Sequence, residues 1–331
     1  MKGFYLNCNR SDALQFMNRI DCQFRIDDFP IETGLNGFVI NDPFEWSTQP
    51  FYNNKEQNLF CACYGWFIYN NKKNNLREFS IDFSEKGSEI LKKISGGLFV
   101  IILKTKSDTF IINDPFGFSC HYYRKDITEL ELAPSPYFLG GEKNVSSTAN
   151  SIFNKYRQLF GDMTLFDDIK RLNPATIYSG GTFDVYYRPK IRSFVPENVV
   201  EQINQFVNFW DYENRVIALS GGLDSRLILG CSKIKYGYTF GPSGTGDRAS
   251  AEIFKNKFQN YYGFSLLELK YFKKEIETAE NMFLGLCPSP ISALLPVYRH
   301  VRNYFGKNAY VAFDGFLGDV LQRGTLLNIN K

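Results

Sequence analysis

The sequence predicts two domains of different class: an α+β layered domain over residues 1–190, and an α/β domain built on a parallel sheet over residues 200–331. Three observations lead there. Before residue 190, strand-length apolar runs are separated by turn signals, the pattern of hairpins packed with helices. Arg188-Pro189 and Pro196-Glu-Asn198 then punctuate a linker. After it, short apolar runs alternate with helical periodicity, as in βαβ units. A chain of 331 residues is long enough for both domains.

In the first domain the strand candidates are Phe60–Tyr69, Leu98–Leu103, Phe110–Ile112 and Cys120–Tyr123. Asn113-Asp-Pro-Phe-Gly117, Asn173-Pro174 and Ser179-Gly-Gly181 read as turns. Ser88–Ile94 and Asn150–Phe160 read as helices. In the second domain Val200, Ile203, Val207 and Trp210 recur at helical spacing, which predicts a helix over Val200–Trp210. A strand over 216–219 follows, then a helix over 223–231, a strand at Gly237–Phe240, a helix at Ser250–Tyr262 and a third strand at Ser265–Leu269. Glu275–Met282 and Pro296–Phe305 read as helices, and Ala309–Phe313 as a further strand.

The stretch Val216-Ile-Ala-Leu-Ser-Gly-Gly-Leu-Asp-Ser-Arg-Leu-Ile-Leu-Gly230 carries the chemistry. A buried strand leads into a glycine turn and then a helix start. Gly221 and Gly222 allow close backbone approach. Unpaired N–H groups and the helix dipole favour an anion there. Ser220 and Ser225 add hydroxyls. Asp224 would repel a phosphate unless a cation lies between them, which points to Mg²⁺. The stretch reads as a phosphate cradle with a metal, or as an ordinary strand–turn–helix connection. Ligand sites in parallel sheets lie beyond the carboxyl ends of the strands. The turns 220–225, 241–247 and 314–319 all follow strands and could converge on one crevice.

A net charge of +3 is too balanced to imply a nucleic-acid or anionic-membrane partner. No apolar run reaches membrane-spanning length, and residues 1–20 hold no signal-like apolar core, so a cytoplasmic protein is expected. The seven cysteines are irregularly spaced, and His121 and His300 belong to no metal motif, so free thiols are expected rather than disulfides or zinc.

Ser220-Gly-Gly-Leu-Asp-Ser225 after an apolar strand resembles the pyrophosphate loop of the asparagine synthetase family. Thr239-Phe240, Asp247 with Ala251, and Asp314-Gly-Phe-Leu-Gly-Asp-Val-Leu321 resemble later segments of the same synthetase domain. Earlier, Ile68-Tyr69-Asn70, Ser95–Val100, Asn113–Gly117 with His121-Tyr-Tyr123, and Leu165–Pro174 resemble the family's glutaminase-type domain. The likeness is weak residue by residue but keeps its order from about residue 60 to 325. It implies an Ntn-hydrolase-like sandwich followed by an adenine-nucleotide-binding ATP-pyrophosphatase domain. The implied activity is a ligase that uses ATP and Mg²⁺ to activate a small-molecule carboxylate, aspartate or a related acid, as its acyl-adenylate. On that model Ser220, Gly221, Gly222, Leu223 and Ser225 surround the pyrophosphate, Leu219 and Phe240 flank adenine, and Asp224 and Asp319 hold Mg²⁺.

Three departures qualify the model. Lys2 stands where the family has its nucleophilic cysteine, Cys8 cannot replace it without cleavage, and Trp66 and Phe67 fall where glutamine-binding Gly and Glu would be. No glutamine hydrolysis is expected, so the amine would be ammonia or a substrate amine. Val320 and Phe316 replace family glutamates. The family continues past the equivalent of Lys331 with a helical region, so the second domain is expected to be truncated, with a separate chain supplying the rest or a homodimer forming. The alternatives are a non-catalytic nucleotide-binding fragment, or an amidotransferase acting in surface-polysaccharide or peptide modification.

Overall fold

Two long strands with continuous apolar runs, Leu59–Tyr69 and Ile94–Lys104, organise the first half of the chain. They pair antiparallel from Phe60 opposite Lys104 to Tyr69 opposite Ile94. Successive residues point to opposite faces, so both faces of this pair can be buried by different layers. The computed structural model describes residues 2–19, 24–41, 51–125, 130–139, 144–156, 158–188, 197–210, 213, 215–265, 294–306 and 311–315. It divides into two units, Met1–Lys190 and Ile191–Lys331.

The first unit runs β1 (Gly3–Leu6), α1 (Arg10–Arg19), β2 (Arg25–Asp28), β3 (Gly37–Asn41), β4 (Phe51–Asn54), β5 (Leu59–Tyr69), β6 (Lys72–Lys73) and α2 (Leu76–Lys86). It continues with β7 (Ile94–Lys104), β8 (Thr109–Asn113), β9 (Tyr122–Lys125), β10 (Leu130–Ala133), α3 (Ser147–Tyr156), β11 (Lys170–Arg171), β12 (Thr176–Ser179) and β13 (Thr182–Val185). Among the described residues these strands form two antiparallel sheets, ordered β11-β9-β10-β1-β3-β2 and β13-β12-β8-β7-β5-β4, with β6 added to β5.

The sheets share a core. Phe4, Leu6, Val39 and Leu132 from the first meet Phe60, Ala62, Val100, Ile102 and Ile111 from the second. The alternate residues Cys61, Cys63, Phe99, Ile101 and Leu103 face outward, under Leu76, Phe79 and Phe83 of α2 and Ile90 and Leu91 of the 3₁₀ segment Gly87–Lys93. Each fully buried Phe contributes about 1.5–3 kcal/mol by leaving water. An exposed ion pair such as Lys92–Glu89 contributes about 0–1 kcal/mol, so packing decides the stability of this layer.

The second unit holds α4 (Glu197–Asn208), β14 (Arg215–Ala218), α5 (Leu223–Cys231), β15 (Tyr236–Phe240), α6 (Gly246–Glu252), β16 (Asn260–Phe264), α7 (Leu294–Phe305) and β17 (Val311–Phe313). Its sheet is parallel, ordered β16-β15-β14-β17. Val216, Tyr236, Tyr238 and Phe264 form one apolar face, and Val297, Val301 and Phe305 of α7 cover it. Pro296 sits in the first turn of α7, where a missing N–H costs little.

The predicted mixture of antiparallel layers and a parallel sheet is present, with corrections to its elements. The predicted helix Ser250–Tyr262 ends at Glu252, a short 3₁₀ turn follows at Lys255–Lys257, and β16 begins at Asn260. The aromatic run Tyr261-Tyr-Gly-Phe264 favours a strand, and pairing with β15 overrides the helical spacing before it. The third strand of the sheet is therefore Asn260–Phe264; of the predicted Ser265–Leu269, residues 266–269 lie outside the described residues. The predicted strand Cys120–Tyr123 begins two residues later, at Tyr122, because Cys120 closes the preceding turn by donating its N–H to Phe118 O. Ser88–Ile94 is 3₁₀ rather than α-helical, since Gly87, at φ 66°, has just ended α2. The helix predicted over Asn150–Phe160 is α3, three residues earlier at its start. The linker punctuation at 189–196 and the helix at Glu275–Met282 lie outside the described residues. Among the described residues, no helix is long and apolar enough to cross a membrane.

His121 is fully buried beside Phe4 of β1 and Tyr64 of β5. Its Nε2 accepts the Phe4 N–H at 2.9 Å, which fixes the proton on Nδ1, and Nδ1–H donates to Ser119 O at 3.2 Å. Burial pushes its pKa down to about 4, only partly offset by the Ser119 carbonyl. The unfolded chain, at its ordinary value near 6.5, takes the proton first. Stability from neutral His121 is therefore complete above about 6.5 and lost as pH falls toward about 4. Denaturant titrations at several pH values should show this slope in the native chain and a smaller slope in His121→Gln. An unchanged slope would contradict the assignment.

Candidate functional site at the carboxyl edge of the parallel sheet

β14 lies between β15 and β17, with Val216 opposite Tyr236 on one side and Ala312 on the other. All these strands are parallel, so their carboxyl ends share one edge. The loops leaving that edge touch. The Gly221 N–H donates to Asp247 Oδ1 at 3.1 Å. A Cβ on Gly221 would stand 2.5 Å from that oxygen, and one on Gly315 would stand 2.8 Å from the Ser225 nitrogen and 2.9 Å from Asp224 Cβ. The described parts of the three predicted turns, 220–225, 241–247 and 314–315, therefore meet. Asp319, Phe316 and Val320 lie outside the described residues.

The predicted site residues take these positions. Leu219 is buried, its N–H donates to Tyr238 O at 2.8 Å, and its carbonyl accepts from Thr239 Oγ1 at 2.6 Å. Thr239 Oγ1 in turn accepts from the Tyr261 hydroxyl at 2.7 Å. Phe240 ends β15, 37 % exposed as a residue, with its ring beside Phe264. Gly222 precedes α5 in an extended conformation and offers the helix no side-chain cap. Leu223 is exposed at the first helical position. Ser225 is buried, and its Oγ accepts the Ser220 N–H at 3.1 Å and lies 3.1 Å from Ser220 Oγ. Ser220 Oγ accepts the Gly222 N–H, also at 3.1 Å. The N–H groups of Ser220, Gly221 and Gly222 thus all have protein acceptors.

Asp224 differs from its neighbours. Its Oδ1 is buried and has no hydrogen-bond partner among the described residues. A buried polar oxygen left unpaired costs about 1–3 kcal/mol, so such a group calls for an explanation. A hard oxygen of this kind suits Mg²⁺, and Asp224 would hold it. Among the described residues no group of three or more His, Cys, Asp or Glu side chains surrounds a possible metal position. Asp247 and Asp314 are exposed acids on the adjoining turns. Burial, and then the Asp314 carboxylate that accepts its hydrogen bond, hold the Tyr298 phenol above its ordinary pKa.

Sequence reasoning missed the role of Arg226. Its Nε donates to Gly222 O at 2.9 Å and its Nη2 to Gly221 O at 3.2 Å, while the guanidinium lies 6.0 Å from the Phe254 ring centre. Arg226 holds the glycine turn from behind. The signal was its place one helical turn after Gly222. Nothing in the spacing could pair Asp247 with Gly221.

The motifs of the first unit serve its architecture. Asp114 is buried and accepts the N–H groups of Phe116, Phe118 and Ser119 at 2.9, 3.2 and 2.9 Å. Asn113 Nδ2 donates to Leu172 O and Asn173 O, tying the turn at Asn113–Gly117 to the Leu165–Pro174 stretch. Phe67 is fully buried against Phe79 and Phe99. Cys8 Sγ donates to Leu6 O and Leu132 O, and burial, aided by Glu131, pushes its thiol up to about 12. That thiol is a poor nucleophile at neutral pH. Cys8, Cys61, Cys120 and Cys231 carry free thiols, and Cys22 and Cys287 lie outside the described residues.

Gly221→Ala should destabilise the chain by about 1–3 kcal/mol, the usual cost of overpacking. Gly230→Ala, inside α5 with no atom near its added Cβ, should stabilise by about 0.5–1 kcal/mol. Urea denaturation of both variants checks the pair. Equal effects would mean that the turn does not pack against Asp247.

No protein-family model matches the chain, and no curated protein matches it. Among solved structures, the chain is similar to glutamine phosphoribosylpyrophosphate (PRPP) amidotransferase from B. subtilis complexed with ADP and GMP. The identity is 8% over 69% of this chain and 51% of that chain, with a TM-score of 0.29. The structure of the allosteric regulatory enzyme of purine biosynthesis matches at 8% identity over 70% of this chain and 66% of that chain, also with a TM-score of 0.29. The chain thus spans about half to two-thirds of the length of these structures. Likeness at this level supports neither a site nor an activity. Neither is an asparagine synthetase, so the resemblance to that family rests on the sequence motifs alone.

Proposed function

We propose that the second unit binds the phosphates of ATP with Mg²⁺ at the carboxyl edge of its sheet. On this reading the chain is an asparagine synthetase-like ligase. The oxygen of a small-molecule carboxylate attacks the α-phosphorus of ATP, and pyrophosphate leaves with the bonding electron pair. Ammonia or a substrate amine then attacks the acyl carbon, loses a proton, and AMP departs as the amide forms. The observation that carries the reading is the unpartnered Asp224 Oδ1 at the meeting point of three strand-end turns. Ligands of parallel sheets bind beyond strand ends of this kind. Bound Mg²⁺ would neutralise phosphate charge. The chain's own part is to fix the turn through Arg226 and to present the first N–H groups of α5. Adenine would lie near Phe240, against side chain rather than against the main chain of Leu219, whose N–H and carbonyl are both bonded within the protein.

A second reading, a nucleotide-binding fragment without catalysis, is favoured by the bond from Gly221 N–H to Asp247. A carboxylate already stands where a phosphate oxygen would. Phosphate binding then requires Asp247 to turn away.

Equilibrium binding of ATP should be saturable and Mg²⁺-dependent, and Asp224→Asn should weaken it by about 10–100-fold, as loss of a metal-supporting group does. Binding that is absent, or equal in the variant, overturns the nucleotide site. Pyrophosphate release on adding one of a panel of carboxylic acids separates the ligase from the fragment.

A further inference from the structure

On the other side of Arg226 lies a concavity of about 560 Å³, lined among the described residues by Arg226, Lys233, Lys235, Lys257, Phe254 and Gln259 together with apolar positions such as Leu229 and Ile234. It takes in the turn from α5 to β15 and the turn before β16, at the amino ends of those strands, away from the edge that holds Asp224. Its volume suits a metabolite. Its charge is distinctive. Four cationic side chains and no acidic one line it, whereas the whole chain carries a net charge of only +3. Lys235 is paired with Glu213, which leaves the charges of Arg226, Lys233 and Lys257 without a carboxylate in the lining. A concave surface of one sign focuses its field and concentrates the opposite ion. The Phe254 ring and the two aliphatic side chains add an apolar wall.

We propose that this concavity binds a small polyanion bearing phosphate or several carboxylates, at a site separate from the glycine turn. Lys233 and Lys257 are its exposed cationic contacts for the anion, and Phe254 packs against the ligand's apolar part. Arg226 belongs to both places, since the same guanidinium lines the concavity and donates to Gly221 O and Gly222 O. A ligand that draws on Arg226 therefore acts on the turn that precedes α5. The proposal does not depend on ATP binding at that turn.

The test is titration of the full chain with inorganic tripolyphosphate in buffer containing EDTA, which silences any divalent-metal site. Saturable binding is expected, weakened about tenfold or more in Lys233→Glu/Lys257→Glu. A control pair, Lys106→Glu/Lys155→Glu, makes the same change in net charge on the first unit and should bind as the native chain does. Asp224→Asn should also bind normally, which separates this site from the metal-dependent one. Amide resonances of Gly221 and Gly222 should move on titration. Absence of saturable binding, an equal loss in both double variants, or full binding in the Lys233/Lys257 pair overturns the site. Stationary Gly221 and Gly222 resonances overturn its link to the turn.

Discussion

The second unit depends on the parallel pairing of β14 with β15 on one side and β17 on the other. A central strand bonded on both edges cannot slip without moving its neighbours. Its exit turn is therefore fixed beside theirs. Glycine at 221 and 315 lets the turns approach to distances that a Cβ would forbid. Asp224, on the first turn of the helix that follows, ends up enclosed by this meeting of turns, with one oxygen buried and unpaired. The chemistry proposed for the chain follows from that enclosure.

The same turn is unusually self-sufficient. Ser225, Asp247 and Ser220 accept its three N–H groups, and Arg226 donates to its carbonyls. Such a network rigidifies a loop while it is complete. It also sets the condition for an incoming anion, which must compete with the carboxylate of Asp247. Exposed Asp247 is the partner with room to move, whereas Ser225 is buried. On the proposed reading a phosphate would enter at Gly221 first.

Much of this was legible from residues. The run Val216–Leu219, its glycines and the helical spacing after them located β14, the turn and α5 almost to the residue. The continuous apolar runs Phe60–Tyr69 and Leu98–Leu103 located the spine of the first unit. Other parts were hidden for physical reasons. Leu76, Phe79 and Phe83 mark α2 at helical spacing, but the segment is short and polar between them, and only packing on β5 reveals its apolar face. Tyr261–Phe264 becomes a strand because β15 offers a partner, a long-range fact that local spacing does not contain. The bond between Gly221 and Asp247 joins positions 26 residues apart and has no local signature. Arg226 was visible as a charge one turn past a glycine, but only the fold shows that it faces the turn's carbonyls rather than solvent.

The most direct test of the account is a crystal structure of the chain grown with Mn²⁺ and a non-hydrolysable ATP analogue, using the anomalous signal of the metal. The account predicts Mn²⁺ on the Asp224 carboxylate, phosphate oxygens at the Gly221 and Gly222 N–H groups, and Asp247 turned away from Gly221. Metal and nucleotide elsewhere, with Asp247 still bonded to Gly221, would contradict it.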